Sequence, residues 1–118
     1  QMNAFLAIDA STLENGCMQF IPGAHKAPLK KRNYRRADGM LVTDTLDDTP
    51  WPEERKVPVE ATAGTLVVFN GRAPHLSAAN RSSQSRHAYT LHVIDRTCHY
   101  PANNWLQRSD ELPLRGFD

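Results

Sequence analysis

His75 and Arg86 are the residues whose types and surroundings best fit a chemical site. The chain has five histidines, His25, His75, His87, His92 and His99. None of them belongs to a His-x-x-x-His or His-x-Asp pair, and the two cysteines form no Cys-x-x-Cys pair, so spacing alone does not predict a zinc site. His75 stands out because it follows an apolar run, a glycine and a proline, which is where a strand would emerge from a sheet.

Arg86 begins a second strand-like run, beyond the polar turn of residues 80–85. Two antiparallel strands joined by such a turn can bring His75 and Arg86 to one cavity. This pair suits an oxoacid, since a metal on the imidazole would take the 2-oxo group and one carboxylate while arginine grips the distal carboxylate through paired hydrogen bonds. A second interpretation makes Arg86 a rim cation that pairs with Asp9 or Asp95.

Short apolar runs separated by turn signals make up the rest of the ordered pattern. Strand-like runs occupy residues 3–10, 17–21, 64–70, 74–79 and 86–95. The first two are interpreted as a hairpin that turns at Asn15-Gly16. Because no amphipathic helix interrupts these runs, the pattern predicts an all-β sandwich or barrel.

Residues 24–58 depart from this pattern. A basic block of six Lys/Arg residues, at positions 26–36, precedes a group of acidic residues, and Pro50, Pro52 and Pro58 exclude a long helix. We therefore expect a long surface excursion at 24–58 with one short element. The basic block has two interpretations, a binding site for an anionic substrate such as a CoA thioester or a solvated loop balanced by the acids that follow.

Length and composition narrow the class of protein. A chain of 118 residues fits one domain, and a net charge of +1 gives no overall attraction to nucleic acid. The longest apolar runs are too short to span a membrane, and two cysteines make no disulfide framework. We expect a cytoplasmic protein without nucleic-acid or membrane partners.

Ordered sets of residues resemble signatures of the phytanoyl-CoA dioxygenase family. They are Glu14-Asn15-Gly16-Cys17 with Ile21-Pro22-Gly23-Ala24-His25-Lys26, then Gly64, Leu66, Val68, His75, Ser77, Asn80, Ser82 and Arg86. The tail motifs Asn104-Trp105-Leu106 and Glu111-Leu112-Pro113 are similar to the subgroup of phytanoyl-CoA dioxygenase domain-containing proteins. Each motif is weak alone, but their order and spacing are specific over nearly the whole chain outside residues 24–58.

The resemblance implies an architecture and a reaction. The architecture is part of a double-stranded β-helix (jelly-roll, cupin-like) core, with residues 1–118 as the C-terminal part of a single dioxygenase domain that lacks its N-terminal strands and helices. The reaction is hydroxylation of a small-molecule substrate, with Fe(II) as the metal, 2-oxoglutarate as the cosubstrate and ascorbate as an accompanying reductant.

The same resemblance assigns roles to four residues. His75 matches the distal histidine of the family's two-histidine, one-carboxylate iron site. Arg86 matches the arginine that holds the 2-oxoglutarate carboxylate, and Ser77 matches a serine that assists it. Phe5 falls where the family commonly has a tryptophan in the wall of the cosubstrate pocket, so an aromatic wall remains without the indole N–H. His25 lies in a motif that we interpret as structural.

The family's remaining two iron ligands come from a His-x-Asp motif that this sequence lacks. We expect that motif in a missing upstream part, because Gln1 is not an initiator methionine and a strand-like run follows it closely. The 118 residues alone should then be inactive. Two alternatives stay open: a non-catalytic, cupin-like small-molecule-binding domain or pseudoenzyme, and a halogenase variant that replaces the carboxylate.

Overall fold

The computed structural model of the protein describes residues 1–113, 115 and 116. Within these residues the chain forms eight strands: β1 (Met2–Ala7), β2 (Met18–Phe20), β3 (Lys31–Arg35), β4 (Leu41–Thr45), β5 (Val57–Val59), β6 (Leu66–Asn70), β7 (His75–Ser77) and β8 (Ala88–Val93). Short 3₁₀ turns at Ala24–Lys26 and Glu53–Arg55 are the helical elements of this part of the chain. Every strand pair is antiparallel, and the predicted all-β class is confirmed.

The chain divides into two compact units. Unit 1 contains Gln1–Ala27 and Pro50–Ile94, and unit 2 contains Pro28–Thr49 and the residues from Asp95 onward. Unit 1 holds two three-stranded sheets, ordered β6-β1-β8 and β5-β2-β7. Unit 2 holds the β3-β4 hairpin, which binds the C-terminal tail through a bridge between Tyr34 and Asn104.

A small apolar core lies between the two sheets of unit 1. Phe5 and Ala7 of β1 and Met18 of β2 are buried together. Because side chains alternate along a strand, the residues that share the inner face with them include Phe20 of β2 and Phe69 of β6. These two rings meet edge to face, with their centroids 4.9 Å apart. The sheets therefore face each other as two layers, which confirms the predicted partial jelly-roll core.

The outer face of the β6-β1-β8 sheet is apolar and solvent-exposed. Its exposed side chains come from all three strands: Met2, Leu6, Leu66, Val68, Tyr89 and Leu91. On β1 and β6 they alternate with buried or half-buried inner residues, whereas the inner positions Thr90 and His92 of β8 are exposed. β1 and β6 are thus largely apolar on both faces, a pattern typical of strands that are covered on both sides.

Residues 12–17, which we call the corner, carry the chain from one sheet to the other. Asn15 is buried there, and its amide is fully used. Its Oδ1 accepts a hydrogen bond from the Thr12 N–H at 2.7 Å, and its Nδ2 donates to the Ala10 carbonyl at 2.8 Å and the Ser85 carbonyl at 3.4 Å. These bonds explain why the motif requires a short side-chain amide at this position.

Gly16 is required for two independent reasons. Its φ of +85° is a backbone conformation that residues with a Cβ rarely adopt. A Cβ at this position would also lie 2.4 Å from the carbonyl oxygen of Ala78. The close contact lets the corner pack directly against the chain that leaves β7.

Two local predictions were wrong. β1 and β2 do not form a hairpin, because β1 pairs with β6 and β8 while β2 pairs with β5 and β7. Each strand thus lies at the centre of its own sheet. Residues 24–58 are also more regular than one short element, since they contain β3, β4, β5 and both 3₁₀ turns. Alternation identified the strands, but it carries no information about which strands pair.

We predict that Gly16→Ala destabilises the protein far more than Gly64→Ala. Gly64 has nearly the same φ, +84°, but nothing lies within 4 Å of its hypothetical Cβ. Backbone strain alone should cost about 1 kcal/mol at Gly64, and the clash with Ala78 should raise the loss at Gly16 to roughly 3 kcal/mol or more. Denaturant unfolding of both variants measures the difference, and equal losses would contradict the close-contact explanation.

Candidate functional site

His75 opens β7 and lies on the inner face of its sheet. It pairs with Phe20 in the ladder, and its ring packs against Phe20 of its own sheet and Phe69 of the facing sheet, with centroid distances of 5.6 and 5.1 Å. The imidazole is therefore oriented toward the space between the sheets. The residue is nevertheless solvent-exposed, so this space is open at His75.

One hydrogen bond fixes the proton on the His75 ring. Nδ1 lies 2.9 Å from the carbonyl oxygen of Ala73, and a carbonyl only accepts, so Nδ1 is the donor. The neutral ring then keeps a lone pair on Nε2. A histidine that donates one ring N–H to a backbone carbonyl and presents its other nitrogen is arranged like a typical metal ligand.

Ser77 and Phe5 also lie on inner faces, one in each sheet. Ser77 is opposite the buried Met18 in the β2–β7 ladder and shares the strand face of His75. Phe5 lies at the centre of β1 with 5% of its surface exposed, in the core that both sheets cover. Phe5 is thus a packing residue in this structure, whereas the Ser77 hydroxyl is open to solvent.

Arg86 lies just before β8 and is half-buried. Cys17 of the corner is fully buried. Burial raises the pKa of its thiol, as does the negative charge of Glu60, while a hydrogen bond with the Val59 backbone and the positive charge of Arg86 lower it.

The interpretation of Arg86 as a partner of Asp9 or Asp95 is wrong. Asp9 accepts its hydrogen bonds from Ser85 and His87, and Asp95 accepts its bonds from Thr97. Within residues 1–113, 115 and 116, Arg86 makes no ion pair. A half-buried guanidinium without an anionic partner is well suited to bind an anion.

β7 and β8 do not pair with each other, contrary to the simple picture of a two-stranded turn. β7 lies beside β2 and β8 lies beside β1. The connecting residues 78–87, which we call the crossover, therefore lead from one sheet to the other. The corner holds this crossover at its start through Gly16 and Ala78. It holds the middle and the end through the Arg81 N–H, which donates to the Glu14 carbonyl at 3.0 Å, and through Asn15 and Ser85.

Asp9 also holds the end of the crossover, through hydrogen bonds with residues 85 and 87. A single carboxylate oxygen, Oδ2, accepts hydrogen bonds from the Ser85 hydroxyl at 2.8 Å, the His87 backbone N–H at 2.8 Å and His87 Nδ1 at 2.7 Å. These bonds, led by that of the backbone N–H, lower the pKa of Asp9 from 3.8 to about 2. Sequence reasoning missed this role, since nothing in the spacing brings residue 9 to residues 85–87.

The described residues do not form a complete metal site. Across residues 1–113, 115 and 116, no three His, Cys, Asp or Glu side chains come together in a group that could hold a metal. His75 supplies one imidazole, whereas the iron site implied by the resemblance needs two histidines and a carboxylate. The residues present therefore do not fit the iron on their own.

A shallow cleft of about 170 Å³ lies beside β2 and β7. Gln19 and Leu76, which line it, face each other in the ladder. Trp51 and the Glu53–Lys56 ion pair also line it. His75 contributes to this lining too, while its ring packs against Phe20 and Phe69.

Three of the six cations of the basic block have partners within unit 2. Lys30 pairs with Asp47 at 3.1 Å and Arg36 with Asp38 at 3.2 Å. Arg35 donates to the carbonyls of Gly39 and Trp105. These bonds favour the interpretation of the block as a solvated, internally balanced hairpin over an anion-binding site.

No helix in the described part of the chain is long and apolar enough to cross a membrane. The helical elements there are three residues each.

Comparisons with known proteins connect this arrangement to one family. The family model described as "Phytanoyl-CoA dioxygenase (PhyH)" matches residues 1–88. A phytanoyl-CoA dioxygenase of Arabidopsis thaliana is 41% identical over 109 residues, and phytanoyl-CoA dioxygenase 1 of rice, Oryza sativa subsp. japonica, is 44% identical over 108 residues. These matches cover 89% and 88% of this chain but only 37% of each relative, so the chain spans little more than a third of their length.

An animal relative and a solved structure agree with these matches. Phytanoyl-CoA dioxygenase domain-containing protein 1 of Danio rerio is 35% identical over 116 residues, which is 96% of this chain and 40% of that protein. The structure of EvdO2 from Micromonospora carbonacea var. aurantiaca in complex with 2-oxoglutarate has 26% identity and a TM-score of 0.59, over 75% of this chain and 36% of that one.

We predict that Asp9→Asn flattens the response of stability to acid. Because the folded-state pKa of Asp9 is lowered, its contribution is complete above 3.8 and is lost as the pH falls through about 2. Acid titration of the unfolding midpoint across that interval should show a shallower slope for the variant than for the wild type. Asp44→Asn, which changes an exposed carboxylate of β4 with no such bonds among the described residues, should keep the wild-type slope. Identical slopes for Asp9→Asn and wild type would rule out the three-donor arrangement.

Proposed function

The chain belongs to the phytanoyl-CoA dioxygenase family, a family of 2-oxoglutarate-dependent dioxygenases, and we propose that it forms the cosubstrate-binding part of an Fe(II)- and 2-oxoglutarate-dependent hydroxylase that acts on a small molecule. The observation that carries the proposal is the pair His75 and Arg86. One presents a free imidazole nitrogen on the inner face of its sheet, and the other is a guanidinium without an ion-pair partner among the described residues.

Arg86 is proposed to hold the distal carboxylate of 2-oxoglutarate. Its planar fork of N–H donors matches a carboxylate with two parallel hydrogen bonds, which is stronger and more directional than a single ammonium contact. Ser77 is proposed to add a hydroxyl donor to the same carboxylate, and its exposure on the inner face supports this role. Phe5 would exclude water from the floor of the site through its packing between the sheets.

His75 is proposed as one of three protein ligands to iron, which supplies oxygen activation when bound. We propose that the other two ligands come from the rest of a longer protein, since the described residues contain no group of three side chains that could hold a metal. This chain's own contribution is to hold the His75 ring between Phe20 and Phe69 and to fix its tautomer through Ala73.

A second function is favoured by that same absence of a ligand group. A protein that kept the anion-binding Arg86 without the other metal ligands would bind an oxoacid and not oxidise a substrate. The relatives' greater length favours the enzyme, because about three fifths of each lies outside the match. A direct assay separates the two.

We predict that an upstream-extended protein forms succinate from 2-oxoglutarate in the presence of iron and ascorbate, and that residues 1–118 alone do not. The reason is the ligand count, one imidazole where three ligands are needed. His75→Ala in the extended protein should abolish succinate formation. An inactive extended protein that still binds 2-oxoglutarate would support the binding domain. Succinate formation by the short chain, abolished by His75→Ala, would show that the other ligands lie within it.

We also predict that Arg86→Ala weakens the binding of 2-oxoglutarate to the extended protein by about 100-fold, as expected for losing a bidentate, charge-assisted contact. Titration calorimetry measures this affinity. Arg81→Ala is the matched control, because Arg81 is an exposed cation of the same crossover and bonds to the other described residues only through its backbone N–H. An unchanged affinity in Arg86→Ala would contradict the role given to its guanidinium.

A further inference from the structure

The two residues that flank Arg86 are both bound to the same carboxylate. The Ser85 hydroxyl and the His87 backbone N–H, which lie on either side of Arg86 in the chain, each donate to Asp9 Oδ2 at 2.8 Å. The His87 ring adds a third bond at 2.7 Å. Asp9 is half-buried, with 32% of its side chain exposed, so these bonds are partly shielded from water.

The backbone beside Arg86 is held from further directions. The His87 carbonyl accepts from the Ile8 and Asp9 N–H groups at 3.0 and 3.2 Å, and the Ser85 carbonyl accepts from Asn15 Nδ2 at 3.4 Å. By contrast, the guanidinium of Arg86 makes no ion pair among the described residues. The polypeptide is thus fixed on both sides of Arg86 while its charged end stays available.

We propose that Asp9 is a positioning residue for Arg86. It fixes the backbone from which the guanidinium extends through three bonds to its Oδ2, and among the described residues it makes no ion pair with Arg86. The inference rests on the proposed function, in which Arg86 grips the distal carboxylate of 2-oxoglutarate.

The physical basis is the geometry that a bidentate contact demands. Two parallel hydrogen bonds require the plane of the guanidinium to match that of the carboxylate, so a small rotation of the chain at Arg86 loses one of them. Fixing residues 85 and 87 beforehand lowers the conformational entropy that binding would otherwise remove. If the bonds of Asp9 only stabilised the start of β8, their loss would affect the binding of every ligand equally, whether or not the ligand contacts Arg86.

The test compares two oxoacids that differ at the distal carboxylate. 2-Oxobutyrate has the 2-oxo acid group of 2-oxoglutarate but carries a hydrogen in place of the distal carboxylate. Affinities of both are measured for the full-length protein, with a divalent metal that does not activate oxygen. Asp9→Ala should weaken the binding of 2-oxoglutarate about tenfold, and Asp9→Asn should weaken it about threefold. The affinity for 2-oxobutyrate should stay unchanged in both variants, because only 2-oxoglutarate has the distal carboxylate that contacts the guanidinium. Asp9→Asn keeps a side-chain oxygen acceptor and serves as the conservative variant should Asp9→Ala fold poorly.

Asp47→Ala is the matched control. Asp47 also has its pKa lowered to about 2, through hydrogen bonds with Thr49 and Lys30, but it belongs to unit 2. This variant should leave both affinities unchanged. In an Arg86→Ala background, Asp9→Ala should have no further effect on 2-oxoglutarate.

The remaining outcomes separate this inference from the proposed function. Equal weakening of both oxoacids by Asp9→Ala, or an additive loss in the Arg86→Ala background, would show a general structural role and overturn the inference alone. The same holds if Arg86→Ala weakens 2-oxoglutarate while neither Asp9 variant does. If Arg86→Ala leaves 2-oxoglutarate affinity unchanged, the proposed role of Arg86 fails and the inference fails with it.

Discussion

The close contact between the corner and the crossover is the constraint on which the site depends. Gly16 approaches the Ala78 carbonyl more closely than any Cβ would permit, and Asn15 binds the Ser85 carbonyl from the same corner. The crossover begins just after the strand of His75 and carries Arg86 next to its end. Fixing it at both ends therefore fixes the relation between the strand that carries the imidazole and the segment that carries the guanidinium. The Glu14-Asn15-Gly16-Cys17 motif is a structural motif with a direct consequence for the chemistry.

The inner faces of the two sheets have a packed part and an open part. Toward the corner the inner faces close on Phe5, Ala7 and Met18, and toward β7 they open at His75 and Ser77. The same alternation that buries Phe5 in β1 therefore directs polar groups of β7 into the space between the sheets. The cleft beside Trp51 is lined by Ile21 and Leu76 and also by His75.

Much of the fold could be predicted from the sequence, because short alternating runs and turn residues are local signals. They located strands near β1, β2, β6, β7 and β8 and the turn at Asn15-Gly16. Pairing was not predictable, since a strand's pattern shows which side is buried but not which neighbour it meets. The β3-β4 hairpin within residues 24–58 was not predictable from the sequence, because its two strands are mostly exposed and show no regular alternation of apolar and polar residues.

The site shows the same division between local and long-range information. His75 and Arg86 were identifiable from their surroundings and from the family motifs, whereas Asp9 was assigned only as a possible ion partner of Arg86. Its actual contacts join residues 9, 85 and 87 and arise from the register of β1 against β8, which brings Ala7 opposite Ala88. Among the described residues no three His, Cys, Asp or Glu side chains come together, and the sequence contains no His-x-Asp motif.

We propose above all that His75 and Arg86 belong to one binding site between the two sheets. A crystal structure of the full-length protein with 2-oxoglutarate and a divalent metal that does not activate oxygen tests this claim most directly. We predict that Nε2 of His75 is bonded to the metal and that the guanidinium of Arg86 makes two hydrogen bonds to the distal carboxylate. A metal held without His75, or 2-oxoglutarate bound without contact to Arg86, would contradict this claim.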